Sequence, residues 1–395
     1  MKEIAFNVHQ LRVADTLLRD EADYNPPREV RIANSLHPVR WALIIALATP
    51  ALLVLTFLIA RNAGIDELAG QANKALRYVL GVELTALFLL AAIGFIYERQ
   101  AQKLDRKLYP APGRLVDIGG YRLHIDCAGK GPTVVLEYGH QGSYVDWHIL
   151  RPQIADFARV CIYDRAGYGW SDSSPKPRMP SAMADELHTL LHSAGEAPPY
   201  ILVGHSFGGL NALMFAHEFP SETAGVVLVD ASLPKMMFPL GWRERMRFRL
   251  TQLVMPFGLP RWRGWCGGSA PEQLGGLKRA ISCRSSLYGN YYRERSSFPQ
   301  SASEIQSIPS IGSIPLIVIA RDPIAQSASA HEIEWNRLQR ERAKLSSSSE
   351  FVIAAGSGHD VPVEKADVIA AAVKKLIQAR VSSSVTQNLS SRTRT

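Results

Sequence analysis

Cysteine is scarce in this 395-residue chain: four residues, at positions 127, 161, 266 and 283. They form no C-x-x-C pair and no zinc-like spacing, which removes the usual signatures of a redox motif or a thiolate metal site. Cys127 and Cys161 fall on expected strands and read as buried thiols, suited to a reducing compartment. The formal charge is +8, yet no basic run is interleaved with a recognisable nucleic-acid-binding motif, so nucleic acid is set aside as a partner. Attraction to anionic lipid headgroups accounts for the excess more economically.

Charge is wholly absent from Trp41 to Ala60. Those twenty residues would make ~30 Å of helix, enough to cross a bilayer core. A second apolar run covers Val79 to Tyr97, broken only by Glu83 near one end, which reads as a residue reaching the headgroups. A cleaved signal peptide does not fit, because the first run begins forty residues in and a second follows. Two spans, 41–60 and 79–97, leave both ends on one side of the membrane. Arg28, Arg31 and Arg40 precede the first, and Arg99, Lys103, Arg106 and Lys107 follow the second. The positive-inside rule then places residues 1–40 and everything after the second span in the cytoplasm, as in a bacterial inner-membrane protein. At the other end, 382–395 is rich in Ser and Thr and reads as a disordered tail.

Between these ends, a hairpin is expected from Arg114 to Cys127 around Gly119-Gly120, then apolar strands at 133–138, 160–163, 200–203, 226–230, 315–320 and 350–354. Helical stretches lie between most of them, notably 146–157, 181–193 and 366–378. Unbroken apolar strands alternating with helices imply a mostly parallel sheet covered on both faces. Such sheets bind ligands beyond the carboxyl ends of their strands, and His140, Asp164, Ser206, Asp230 and His359 all sit at or just past such ends.

One of those ends carries Gly204-His205-Ser206-Phe207-Gly208, a G-x-S-x-G pentapeptide between the strand Tyr200–Val203 and an expected helix. A late loop carries Gly356-Ser357-Gly358-His359-Asp360, an early one Tyr138-Gly139-His140-Gln141-Gly142, and a third Asp164-Arg165-Ala166-Gly167-Tyr168-Gly169-Trp170-Ser171-Asp172. In these four separately placed motifs the chain resembles the α/β-hydrolase superfamily over roughly Gly113 to Leu376. The resemblance implies an eight-stranded hydrolase core at 113–231 and 314–378 with a helical cap inserted at 232–313, the whole preceded by the two-helix membrane anchor.

It also implies roles. Ser206 would be the nucleophile and His359 its base, with an aspartate orienting the histidine. Two aspartates qualify: Asp322, where the superfamily usually places its acid, and Asp230, at the end of the strand after the nucleophile, where some branches place it. Both stay open at this point. Backbone N–H groups of Phe207 and His140 would form the oxyanion hole; Asp164, Arg165 and Ser171 would fix their loop, and His205 would be structural. The implied activity is cleavage of a small or lipid-like carboxylic ester through an acyl-enzyme, at a membrane, without metal or organic cofactor. Thioester and amide cleavage are sister activities, and an idle hydrolase fold acting as a ligand sensor is the rival from another class. The cap stretch Trp242 to Leu250 alternates basic and apolar residues, which suits either a membrane-surface helix or a cap helix packed on the core. Oligomeric state has no signature in the chain.

Overall fold

The computed structural model describes residues 36–392 apart from 268–269 and 325–328; side chains of 36–48, 285 and 381–392 are outside the description. The chain forms two compact units, one containing residues up to Gln100 with Pro271–Gln273 and the other Ala101–Ala270 with Leu274 onward.

The first unit holds helix α1 (Leu36–Asn62) and, after a turn at Ala63–Ile65, helix α2 (Asp66–Leu108) as far as Gln100. Among the described residues α2 alone is long and apolar enough to cross a bilayer. Its Leu84, Leu87, Phe88, Leu90 and Ile93 are all exposed, as lipid-facing residues would be. The second expected span, 79–97, lies within α2. That helix runs on past Glu98 because nothing interrupts it before Pro110, which cannot continue a helix. The first expected span, 41–60, lies in α1, of whose apolar run the described side chains cover the part from Thr49.

In the second unit, eight strands form one sheet in the order β1-β2-β4-β3-β5-β6-β7-β8. They are β1 (Arg114–Asp117), β2 (Arg122–Ala128), β3 (Thr133–Glu137), β4 (Arg159–Tyr163), β5 (Tyr200–His205), β6 (Thr223–Val229), β7 (Leu316–Arg321) and β8 (Ser349–Ala354). Each expected strand is present within a few residues. The first two pair antiparallel with their neighbours, and the remainder are parallel. Alternation along each strand divides the core into two layers. Val135, Leu202, Val226 and Val318 face one layer with Leu187 of α4 (Pro180–Ser193) and Leu210 of α5 (Gly208–Glu218). Val134, Leu136, Ile201, Val203, Val227 and Ile319 face the other, with Leu150 and Ile154 of α3 (Leu150–Ala155) and Ile369 and Val373 of α11 (Ala366–Arg392). Between β6 and β7 stand α6 (Trp242–Val254), α7 (Glu272–Ser282), α8 (Ser285–Ser296) and α9 (Phe298–Gln306); α10 (Ala330–Arg342) follows β7.

Two expectations are corrected. The residues from Ser382 do not form an irregular tail: α11 carries on to Arg392, since no Gly or Pro occurs between Ala366 and Arg392 to stop it; 393–395 lie outside the described residues. Nor are Cys127 and Cys161 thiols. They face one another across the antiparallel β2–β4 pair and are joined as a disulfide, and Cys266 is joined to Cys283 within the cap. The argument from thiols to a reducing compartment falls with that correction.

Candidate active site

The sheet's order reverses around β3, β4 and β5, the position at whose carboxyl ends open parallel sheets bind ligands. Ser206 stands at the tip of the turn from β5 into α5 with φ +52°, a left-handed conformation costly for a residue with a Cβ. The turn is possible because its neighbours have no side chains. A Cβ on Gly208 would lie 2.3 Å from the carbonyl oxygen of Glu137, and one on Gly204 would lie 2.5 Å from that of Gly208. Backbone bonds brace it: Ser206 N–H donates to Val229 O at 3.0 Å, and Ser232 N–H donates to Ser206 O at 2.9 Å.

Three side chains meet in a line. Ser206 Oγ lies 3.1 Å from His359 Nε2, and His359 Nδ1 lies 2.5 Å from Asp230 Oδ2. An ionised Asp230 can only accept, so Nδ1 carries the proton and Nε2 is left to accept from the serine hydroxyl. Asp230 is fully buried, also has positive φ (+40°), and accepts from Trp335 Nε1 at 2.6 Å and from Arg321 N–H at 3.2 Å. The Arg321 guanidinium, 3.3 Å from Oδ2, is shared with Glu332 and lies over the Trp335 ring. Thus the end of β7 and helix α10 together supply the surroundings of Asp230. Nothing in the sequence reading pointed to Trp335 or Arg321, which belong to no motif and reach the site through the order of the strands.

Asp322 is placed elsewhere. Its carboxylate accepts from Ile324 N–H at 2.9 Å and Gly356 N–H at 2.8 Å, and its own N–H donates to Ser357 O. It clamps the histidine-bearing loop by the backbone. The same loop is held by Glu364, which accepts from Gly358 N–H at 2.5 Å and Ser357 Oγ at 2.9 Å, and by His205, whose Nε2–H donates to His359 O at 2.9 Å. Burial, then the neighbouring His359, push His205 down to about 4, so it remains a neutral tether at neutral pH.

On the other side of Ser206, Gly139 approaches so closely that a Cβ there would lie 2.9 Å from Ser206 Cβ. Its carbonyl accepts from Arg165 Nη2 at 2.9 Å, and that of Tyr138 accepts from Arg165 Nη1 at 2.6 Å. In a trans peptide the N–H points opposite to the C=O, so the His140 N–H is turned away from Arg165. Neither His140 nor Phe207 finds an acceptor for its backbone N–H among the described residues. The His140 ring donates from Nδ1 to Glu294 of α8 at 2.7 Å, and Glu294 also receives Arg165 Nε at 3.2 Å. Arg165 is therefore a buried cation between Glu294 and Glu137, the latter 3.7 Å away. Burial alone would raise Glu294, but Arg165 and His140 bring it down to about 2. For Glu137 burial wins over Arg165 and Asn211, and its carboxyl is raised to about 7. One guanidinium does not neutralise two carboxylates.

Asp164 is likewise occupied in structure: His124 and Tyr138 Oη lie 2.8 and 3.2 Å from its carboxylate, and Trp170 N–H donates to it at 3.1 Å. Ser171 Oγ donates to Asp164 O. Among the described residues, His188, His192 and Glu222 offer three donors within 4.8 Å of one another, an arrangement that could hold a divalent ion. They lie on α4 and the turn before β6, and Glu222 already accepts from both rings.

The raised Glu137 carboxyl has a measurable consequence. With an unfolded value near 4.5 and a folded value near 7, the folded state holds the extra proton in between, so stability falls as pH rises through that window and stays lower above it. Glu137→Gln should flatten this dependence, removing a penalty on the order of a few kcal/mol at pH 8. Thermal melts of both proteins between pH 5 and 8 check it, and parallel slopes would contradict it.

Comparison with known proteins supports the same frame. The family model described as alpha/beta hydrolase fold matches residues 132–366. An uncharacterised Bacillus subtilis protein, YbdG, is 27% identical over 194 residues, 48% of this chain and 59% of its own length. The chain thus spans under two thirds of that relative. Among solved structures, the epoxide hydrolase CorEH superposes with a TM-score of 0.52 at 18% identity, covering 67% of this chain and 98% of that one. An esterase from Thermogutta terrifontis gives 0.51 at 22%, covering 66% and 94%. At such identities these neighbours speak to the fold.

Proposed function

The chain belongs to the alpha/beta hydrolase fold family, and from that premise we propose that it is a membrane-anchored serine hydrolase that cleaves a carboxylic ester through an acyl-enzyme. The observation that carries this reading is the contiguous line Ser206 Oγ, His359 and buried Asp230, at 3.1 and 2.5 Å. In it, His359 takes the Ser206 proton as the hydroxyl attacks the acyl carbon. Asp230 holds the imidazole in the required tautomer and stabilises the imidazolium. The N–H groups of Phe207 and His140 receive the oxyanion. His359 then returns its proton to the leaving alcohol, and water repeats the sequence to free the acid. A serine at the elbow also separates this chain from fold relatives that attack with an aspartate. The anchor in this proposal is α2, with α1 beside it in sequence.

Fluorophosphonate labelling of the detergent-solubilised full chain tests the activated serine, followed by p-nitrophenyl esters graded in acyl length. Rapid labelling at Ser206 with ester turnover is expected. A folded chain that neither labels nor turns over would instead be a ligand-binding protein built on this fold.

A further inference from the structure

The cap carries a second surface that the chemistry above does not use. At ~100° per residue, Trp242, Met246, Leu250 and Leu253 of α6 fall within ~80° of one another, on a single stripe. All four are exposed, Trp242 at 72% and Leu253 at 65%. On the opposite side of the helix Phe248 is buried, near the ring of Tyr292. α6 therefore seats one face on the protein and leaves a full apolar stripe outside. Arg243 and Arg247 border the stripe on one edge and Arg245 and Arg249 on the other, all exposed. The acidic residue of α6, Glu244, is paired with Arg295 at 3.1 Å. Beyond the helix in sequence, Phe257, Trp262 and Trp265 are also exposed, with Arg263 lying over both indole rings.

We propose that this face of the cap docks on an anionic lipid bilayer, and that it delivers a lipid-like ester to the site. The second clause rests on the serine-hydrolase reading; the docking itself does not. An apolar stripe framed by arginines suits an interface where side chains enter the acyl boundary while guanidiniums meet phosphates. Tryptophan favours that same depth. An exposed apolar stripe along a helix is uncommon on protein that meets only water. The framing charge selects the occupant: the four arginines of α6 and Arg263 beyond it are exposed, Arg245 and Arg249 also reaching Leu240 O and the Tyr292 hydroxyl, while the carboxylate of α6 itself, Glu244, is already paired with Arg295. The docked segment is also tied to the site. Gln252 donates to Tyr288 O and Tyr288 Oη donates to Trp265 O, both to or from α8, the helix that carries Glu294.

The test uses the full chain reconstituted in phosphatidylcholine vesicles, with and without phosphatidylglycerol. The variants are Met246→Glu/Leu250→Glu, which alters only the exposed stripe, and Trp242→Phe/Trp262→Phe. Brominated acyl chains should quench tryptophan more strongly when phosphatidylglycerol is present, and the tryptophan variant should lose that increment. The glutamate variant should lower turnover of a long-chain ester dissolved in the bilayer about tenfold while a short soluble ester is cleaved as before. Unchanged bilayer turnover together with headgroup-independent quenching would overturn docking. A dimer that the glutamate variant splits, with no change in quenching, would overturn it in favour of a second copy as the occupant. Absence of soluble-ester cleavage in the wild type would instead sink the hydrolase reading and leave the quenching result to decide docking alone.

Discussion

Ser206→Ala is expected to lower kcat for a p-nitrophenyl ester by roughly 10⁴- to 10⁶-fold and to abolish fluorophosphonate labelling, with the fold unchanged. The size of the effect follows from the role: without Oγ there is no atom to form the acyl-enzyme, and what remains is binding and the oxyanion donors. The fold should survive because the hydroxyl does little else. Its polar neighbours are His359 Nε2 at 3.1 Å and Ser232 Oγ at 3.4 Å. The turn is fixed instead by the backbone bonds to Val229 and Ser232 and by the glycines around it. Alanine keeps the same Cβ at the same positive φ, so no new strain is added, and the cost in stability should be under ~1 kcal/mol. Paired measurements of kcat and of the thermal melt check this; turnover retained in the variant would take Ser206 out of the mechanism.

The second large effect separates the two aspartates. Asp230→Asn should reduce kcat by about 10³- to 10⁴-fold, because an amide no longer holds the Nδ1–H tautomer nor balances the imidazolium. Asp322→Asn should stay within about tenfold of wild type, since an amide oxygen can still accept from one of the two backbone N–H groups it now clamps. The KM values should move little in the first variant, because Asp230 is buried behind His359 and away from substrate. The reverse ranking would put Asp322 at the histidine in the working enzyme.

That ambiguity marks the boundary of what the residues alone convey. Strands were legible because apolar runs such as Val134–Leu136 and Ile201–Val203 serve two core layers at once. The serine and histidine loops were legible because local chemistry confines each to a strand end. The acid was not: Asp230 and Asp322 both end strands, and it is the register of β6 beside β7 that brings Arg321 to the first, and the following helix α10 that brings Trp335. The same limit hid the disulfide between Cys127 and Cys161, which are 34 residues apart and meet because β4 pairs antiparallel with β2. That disulfide also removes one support for a cytoplasmic domain. Flanking arginines and lysines favour a cytoplasmic domain, whereas disulfides belong to oxidising surroundings; the thiol reading that once aligned the two is gone. The continuation of α11 past Ser382 is hidden by Ser and Thr content, although no helix-breaking residue follows Ala366 before Arg392.

The bond from Glu294 to both Arg165 and His140 has a consequence for anyone who would re-engineer this chain. Insertions at this point of the fold invite treatment as interchangeable modules, swapped to retune selectivity while the catalytic chassis is kept. Here the insert reaches down and grips the guanidinium that fixes the Gly139 carbonyl, so chassis and module share a part. A transplanted cap lacking a carboxylate at the position of Glu294 would leave Glu137, 3.7 Å away, as the carboxylate beside Arg165 and take from His140 its acceptor, loosening the clamp on the loop that faces Ser206. The graft would then forfeit rate as well as change substrate preference.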